Sequence, residues 1–271
     1  MNASTFTKFR DLIHAHSGID LAPGKEALVS SRLAKRIRDL GLSNEMEYFD
    51  YLSADQSLNE LTRLIDLMST NVTHFLREFE HFAMLSEMLH ELWKNGPAPV
   101  KFWSAACSSG QEPYTLAMIV HEAARAMAID PRIVKILATD ISTQILRQAE
   151  EGFYNTRELE HVPPEWQKRY FQKSPSGTGY QISDSIRSLV TFRRINLSHS
   201  PFPMQGPFDA ILCRNVMIYF DKEVRTKIVG EAYRLLRPDG YLLIGHSENL
   251  SGIDTPFRSV RATVYRKAGA A

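Results

Sequence analysis

Glu112 and Asp140 are the residues whose types and positions first suggest chemistry. Glu112 lies in residues 105–113 (AACSSGQEP), where a short apolar run gives way to small residues and then to a helical pattern. Small side chains let a ligand approach the backbone, and the following helix offers its amino end. A carboxylate there repels phosphate and attracts an ammonium or a sulfonium. The spacing is not GxGxxG, so a dinucleotide pyrophosphate site loses its main support. Asp140 closes the next apolar run, where acids in nucleotide-binding sheets accept hydrogen bonds from ribose hydroxyls. An acid suited to a cation and an acid suited to a ribose together point to S-adenosylmethionine. Plainer roles remain open for each: Glu112 complementing the positive end of its helix, and Asp140 capping the helix that follows.

These residues need a scaffold, and from residue 99 onward the pattern supplies one. Strands are expected at 100–105, 134–138, 190–192, 208–213 and 241–244, with one or two more within 257–266. Helices are expected after the first strand, at 142–151 and at 221–236, with Pro238-Asp239-Gly240 as a turn. Alternating strands and helices imply a parallel sheet covered on both faces, with ligands outside the carboxyl ends of its strands. The polar residues expected there are Ser108 to Glu112, Asp140, Asn196, Arg214, Asn215, and His246 to Glu248. Residues 152–189, with Pro163-Pro164 and Pro175-Ser-Gly-Thr-Gly179, are too long for an ordinary connection. They read as an insertion holding a short helix at 165–171 and a small antiparallel ribbon.

Residues 1–70 read as helices instead. Phe6, Phe9, Leu12 and Ile13 share one face; Leu28, Leu33, Ile37 and Leu40 share another, ending at Gly41. A third helix spans about 44–53, and Leu61, Leu64, Ile65 and Met68 mark a fourth. Charge is sorted here: Lys25, Arg32, Lys35, Arg36 and Arg38 precede an acidic stretch over 39–60 that contains no Lys or Arg. Arg32, Lys35 and Arg36 lie on one helix face. That face is either a solvated surface partly paired with its acidic neighbour or a docking surface for an acidic helical partner.

Composition narrows the rest. The chain has 271 residues, 44% hydrophobic and 23% charged, with a net charge of +1. That balance suits a folded protein and offers no bulk field for nucleic acid. No apolar run is long enough to span a bilayer, and the first residues lack a signal-peptide core, so a cytoplasmic location is expected. Two cysteines, Cys107 and Cys213, exclude a disulfide framework. They and Trp103 read as core, and His246 as structural. No metal-ligand spacing stands out, so no metal is expected.

The segments 69–78 (STNVTHFLRE), 103–114 (WSAACSSGQEPY), 138–141 (ATDI), 208–220 (FDAILCRNVMIYF) and 245–248 (GHSE) resemble, in order, those of the CheR family, the chemotaxis-receptor glutamate O-methyltransferases. The resemblance covers almost the whole chain. It implies an α/β protein: a small all-α domain (1–75), then a Rossmann-like class I S-adenosylmethionine methyltransferase domain (76–271) with a mostly parallel sheet and the β insertion near 152–189. It implies methyl transfer from S-adenosylmethionine to glutamates on the cytoplasmic helices of methyl-accepting chemoreceptors, leaving S-adenosylhomocysteine.

By the same resemblance Asn71, Thr73, Arg77, Glu112, Asp140, Asn196, Leu197, Arg214 and Asn215 would line the cofactor pocket. Without it, Asn71 and Thr73 read as a helix end and the next cap. Arg77 and Tyr219 are the candidates for orienting the substrate carboxylate. Arg77 could instead pair with Glu78, Glu80 or Glu112, and Tyr219 could be a half-buried aromatic. Arg32, Lys35, Arg36 and Arg38 become docking candidates for receptor helices rich in Glu and Gln. Some family members bind a receptor C-terminal peptide through the insertion; the short Ser176-Gly-Thr-Gly179 stretch argues against that here. A monomer is expected. The rival readings are a methyltransferase for another substrate and a non-catalytic module that binds the same cofactor.

Overall fold

The computed structural model describes residues 1–174 and 177–269. Four helices open the chain: α1 (Ala3–Ser17), α2 (Glu26–Asp39), α3 (Glu45–Ala54) and α4 (Asn59–Met68). The Asn2 side chain caps α1, and Gly18, at φ 72°, ends it. Phe6, Phe9 and Ile13 of α1 meet Val29, Leu33 and Ile37 of α2, Tyr48 and Leu52 of α3, and Leu64 and Met68 of α4 in one small core. Leu28, expected on the buried face of α2, is 41% exposed instead. The stripe is Val29-Leu33-Ile37, and a residue one position from it is rotated about 100° away.

A fifth helix, α5 (Phe79–Trp93), occupies a stretch to which the sequence reading assigns no element. Its buried residues Phe82, Leu85, Leu89 and Trp93 form one stripe, and it packs on α6 (Gln111–Ala126). The strands of the main sheet are β1 (Val100–Ala105), β2 (Val134–Asp140), β6 (Val190–Arg194), β7 (Phe208–Cys213), β8 (Leu236–Ile244), β9 (Arg258–Arg261) and β10 (Val264–Arg266). They lie in the order β6-β2-β1-β7-β8-β10-β9, parallel from β6 to β8, with β10 antiparallel to both neighbours. Helices α7 (Thr143–Glu151) and α10 (Lys222–Leu235) complete the alternation. Trp103, Cys107 and Cys213 are buried as expected.

The expected turn at Pro238-Asp239-Gly240 is part of β8. Its register with β7 slips between Phe208 and Ala210, and Asp239 takes φ 63°, so turn-forming residues make an irregularity inside a strand. The insertion is a sheet of three strands ordered β3-β5-β4: β3 (Phe153–Tyr154), β4 (Phe171–Lys173) and β5 (Tyr180–Ile182). It carries α8 (Pro164–Tyr170) and leads into α9 (Asp184–Arg187). Pro175 and Ser176 of the glycine-containing stretch lie outside the described residues. No described helix is long and apolar enough to cross a membrane.

The helical domain is fastened over the carboxyl ends of the sheet. Asp20 N donates to Tyr219 O at 2.8 Å, and Ile19 bridges Phe220. His14 Nε2 lies 2.7 Å from Asp221 Oδ2, and Thr143 N donates to Asp66 Oδ1 at 3.0 Å.

Candidate cofactor and active site

The direction of strand order reverses at β1, between β2 and β7, the place where open α/β sheets hold ligands. A cavity of about 980 Å³, counting its open mouth, lies there between the strand ends and the helical domain. Its walls include all nine expected cofactor residues together with Tyr219.

The turn after β1 is built by backbone conformation. Ala106, Ser108 and Gly110 have φ of 66°, 50° and 93°, alternating with Cys107 and Ser109. A Cβ on Gly110 would lie 2.9 Å from Tyr154 Oη, so the turn admits only glycine there without displacing its neighbours. The turn sets Ser108 N to donate to Asp140 Oδ2 at 2.9 Å, while Ser142 N donates to Oδ1 at 3.0 Å. Asp140 is therefore not the helix cap; Ser142 caps α7, its side chain accepting from Ile145 N. Burial pushes the Asp140 carboxyl above its ordinary value, against the pull of those N–H groups.

Glu112 stands in the first turn of α6, where its charge complements the helix end, and it also lines the cavity. Ser104 Oγ donates to its Oε1 at 2.7 Å, and Arg214 Nη1 donates to Oε2 at 2.9 Å. Burial raises its pKa more than Arg214 lowers it. Arg214 is 1% exposed in its side chain, and its guanidinium lies 5.3 Å from the centroid of the Phe82 ring. On its other side it meets Glu78, Nη2 to Oε2 at 3.0 Å, and it also donates to Arg77 O. Burial would raise the Glu78 carboxyl, but Arg214 and the hydrogen bonds of His246 N and Asn215 hold it below its ordinary value. Glu78, Arg214 and Glu112 form a buried trio with two acids and one base. When both acids are ionised, the trio carries a net negative charge at the cavity wall, which suits a sulfonium or ammonium ligand. The donor set thus fits the cofactor that the sequence implies.

Asn215 takes φ 56° beside Gly245, where a Cβ would lie 2.3 Å from Asn215 Nδ2. Glu248 holds this corner: its Oε2 accepts from Asn215 N at 2.9 Å and Gly245 N at 2.6 Å. Burial raises the Glu248 carboxyl against those bonds, and its contacts are with backbone, so its place is structural. His246 packs its ring edge-on to buried His81, away from the cavity lining.

Asn71 and Thr73 belong to an irregular segment between α4 and α5, not to a helix end and cap. Asn71 O accepts from Ser108 Oγ at 3.1 Å, tying this segment to the turn after β1. Arg77 donates to Val72 O at 3.0 Å; among the described residues it makes no ion pair with Glu78, Glu80 or Glu112. Leu197 is buried at the wall. Asn196 also lines it, but its side chain is engaged elsewhere, Nδ2 with His16 O at 2.8 Å and Oδ1 with Ser198 N at 3.0 Å. Tyr219 ends a short turn after β7 and lines the cavity half-buried.

The basic face of α2 is partly paired with the acidic stretch that follows it, as one of the two readings expected. Arg32 donates to Met68 O and to Thr70 Oγ1, closing the end of α4. Arg36 pairs with buried Glu60, Nε to Oε1 at 2.9 Å, and Tyr48 Oη donates to the same carboxylate. Their shared helix spacing turns both toward α4, while Lys35 and Arg38 are exposed.

The all-α front, the parallel sheet with one antiparallel strand and the acid-lined cavity define a class I S-adenosylmethionine-dependent methyltransferase. Residues 4–69 match the all-alpha domain of CheR methyltransferases, and residues 71–266 match their SAM-binding domain. The chain is 39% identical over 265 residues to chemotaxis protein methyltransferase 2 of Pseudomonas aeruginosa, spanning 97% of this chain and 92% of the relative. It is 39% and 38% identical to the chemotaxis protein methyltransferases of Salmonella typhimurium and Escherichia coli, covering 96% of this chain in each case and 88% and 89% of those relatives. The chain belongs to the CheR methyltransferase family.

Proposed function

We propose that this methyltransferase esterifies glutamate side chains on the cytoplasmic helices of chemoreceptors, with residues 1–75 as its helical domain and 76–271 as its catalytic domain. The observation that carries this reading is the buried Glu78-Arg214-Glu112 trio at a cavity roofed by the helical domain. When bound, S-adenosylmethionine supplies a methyl group activated by its sulfonium. Glu112, restrained by Arg214 and Ser104, provides the counter-charge for the cationic part of that molecule. Asp140 presents a carboxylate for ribose hydroxyls, its other lone pairs being taken by Ser108 N and Ser142 N. Asn71, Thr73, Asn196, Leu197 and Asn215 complete the wall.

A glutamate carboxylate is ionised at neutral pH, so no general base is needed. What the chain must add is alignment and exclusion of water. Arg77 and Tyr219 line the cavity from two different segments, which supports giving them the task of holding that carboxylate. Tyr219→Phe is expected to lower turnover about 10- to 100-fold at saturating cofactor, the cost of one hydrogen bond to a charged group. Steady-state kinetics check this, and an unchanged rate excludes the role.

Incubation with methyl-labelled S-adenosylmethionine and receptor-containing membranes, followed by base, tests the reaction. Label released as methanol marks a carboxyl ester; base-stable label marks N-methylation and removes this reading. For docking, Lys35 and Arg38 are the exposed cations of α2. The double variant K35E/R38E is expected to raise the KM for receptor roughly tenfold at low salt, with the difference shrinking as salt rises. A salt-independent KM in the unsubstituted protein would count against a charged docking face.

A further inference from the structure

Glu78 is a carboxylate at the site that sequence reasoning did not place there. It takes φ 53°, a conformation costly for a residue with a Cβ and held only where several contacts over-determine it. Its Oε2 accepts from Arg214 Nη2 and Nε at 3.0 and 3.3 Å, and its Oε1 from Asn215 Nδ2 and His246 N at 3.2 Å each. It thereby joins the segment carrying Arg77 to the ends of both β7 and β8.

Glu78 is not among the residues lining the cavity, whereas Arg214 and Glu112 are. Its charge therefore acts on a ligand from behind Arg214, through its field and through the guanidinium it engages. A guanidinium shared by Glu112 alone would cancel that carboxylate. With Glu78 as its second partner, the guanidinium is already balanced, and the charge of Glu112 is left for the ligand. His81 Nδ1, 3.7 Å from Glu78 Oε2, adds no competing positive charge: burial and Arg214 push its pKa down to about 4.

We propose that Glu78 is a positioning residue that, by engaging Arg214, sets the negative charge of the cavity and so tunes the relative affinity for the sulfonium donor against its neutral thioether product. The inference rests on the cavity being the S-adenosylmethionine site. The two ligands differ at the sulfur by one positive charge, so the ratio of their dissociation constants reports the field there. General loosening of the site weakens both.

Calorimetric titration of the unsubstituted protein, Glu78→Gln and Glu78→Asp with S-adenosylmethionine and with S-adenosylhomocysteine tests this. Gln keeps the size and removes the charge: the donor is expected to weaken about tenfold more than the product. Asp keeps the charge but is too short for all four donors: the ratio is expected to stay as in the unsubstituted protein while turnover falls. Equal weakening of both ligands in Glu78→Gln overturns the proposal. If melting curves show that Glu78→Gln does not fold, Glu78→Asp decides, and a shifted ratio or undiminished turnover overturns it. Failure of the unsubstituted protein to bind either ligand removes the cofactor reading itself, an outcome distinct from an unchanged ratio.

Discussion

Arg214→Met is expected to destabilise the folded protein by about 3–5 kcal/mol and to abolish methyl transfer, the first read by urea denaturation and the second by label incorporation. The size follows from what is left behind. Arg214 is buried between Glu78 and Glu112, and its removal leaves both carboxylates facing an apolar side chain with no cation between them. The Met side chain recovers the packing on Phe82 but not the charge. Each stranded carboxylate must then bind a proton or remain charged in a low-dielectric site. The loss is therefore largest at neutral pH and shrinks under acid, where protonation removes the conflict. Adding Glu112→Gln to Arg214→Met is expected to restore a large part of the stability and none of the turnover. A single variant within about 1 kcal/mol of the unsubstituted protein would place it in the range of ordinary surface changes and deny the trio its buried character.

The parallel sheet and the two acids at its strand ends were legible in the sequence for a physical reason. Buried parallel strands are short apolar runs, and their ends are marked by a sudden change to small or polar residues. That is how Glu112, Asp140 and Arg214 stood out. The trio itself was not legible, because Glu78 comes from an irregular segment with no periodicity and reaches Arg214 only through left-handed backbone at Leu76 and Glu78. Helix α5 did carry a signal, Phe82-Leu85-Leu89-Trp93 followed by Gly96-Pro97, but its start, at Glu78, has no capping side chain to mark it. Pro238-Asp239-Gly240 misleads because its turn chemistry is spent on an irregularity, with Asp239 at φ 63°, inside a strand whose flanking Leu236 and Tyr241 still pair with β7. Arg32 and Arg36 are a different case: helix spacing showed that they share a face and charge sorting suggested pairing with the acidic stretch, but neither named Glu60 or the end of α4 as what the face meets. The resemblance of the motifs to one family supplied the pocket list, and the geometry then showed that members of that list differ in what they can offer. Glu112 and Asp140 present carboxylates to the cavity, whereas the side chain of Asn196 is engaged with His16 and Ser198.

Cofactor affinity is expected to fall as pH is lowered through the raised pKa of Glu112, beginning at a higher pH than for an ordinary carboxyl. Burial raises that pKa, with Arg214 and Ser104 opposing, and Glu78 adds a further raising influence. Only the ionised form opposes the sulfonium with charge, so S-adenosylmethionine binds best above the folded-state pKa. Below it, binding must expel a proton, and affinity drops by up to about tenfold per pH unit. The stability of the ligand-free protein runs the other way. A carboxyl whose folded pKa lies above its unfolded value stabilises the fold fully below the unfolded pKa, and that contribution is lost as pH rises through the folded pKa. The rise in melting temperature on adding S-adenosylmethionine should therefore grow from mildly acidic to neutral pH. Asp140 shares the raised pKa through burial, and a second variant separates the two. Glu112→Gln should bind the donor weakly and flatten most of this pH dependence, whereas Asp140→Asn should weaken binding and leave the Glu112 portion in place. Calorimetry in two buffers of different ionisation enthalpy counts the protons released. No proton release at mildly acidic pH would mean that Glu112 is already ionised in the ligand-free protein, so that Arg214 outweighs burial at this carboxylate.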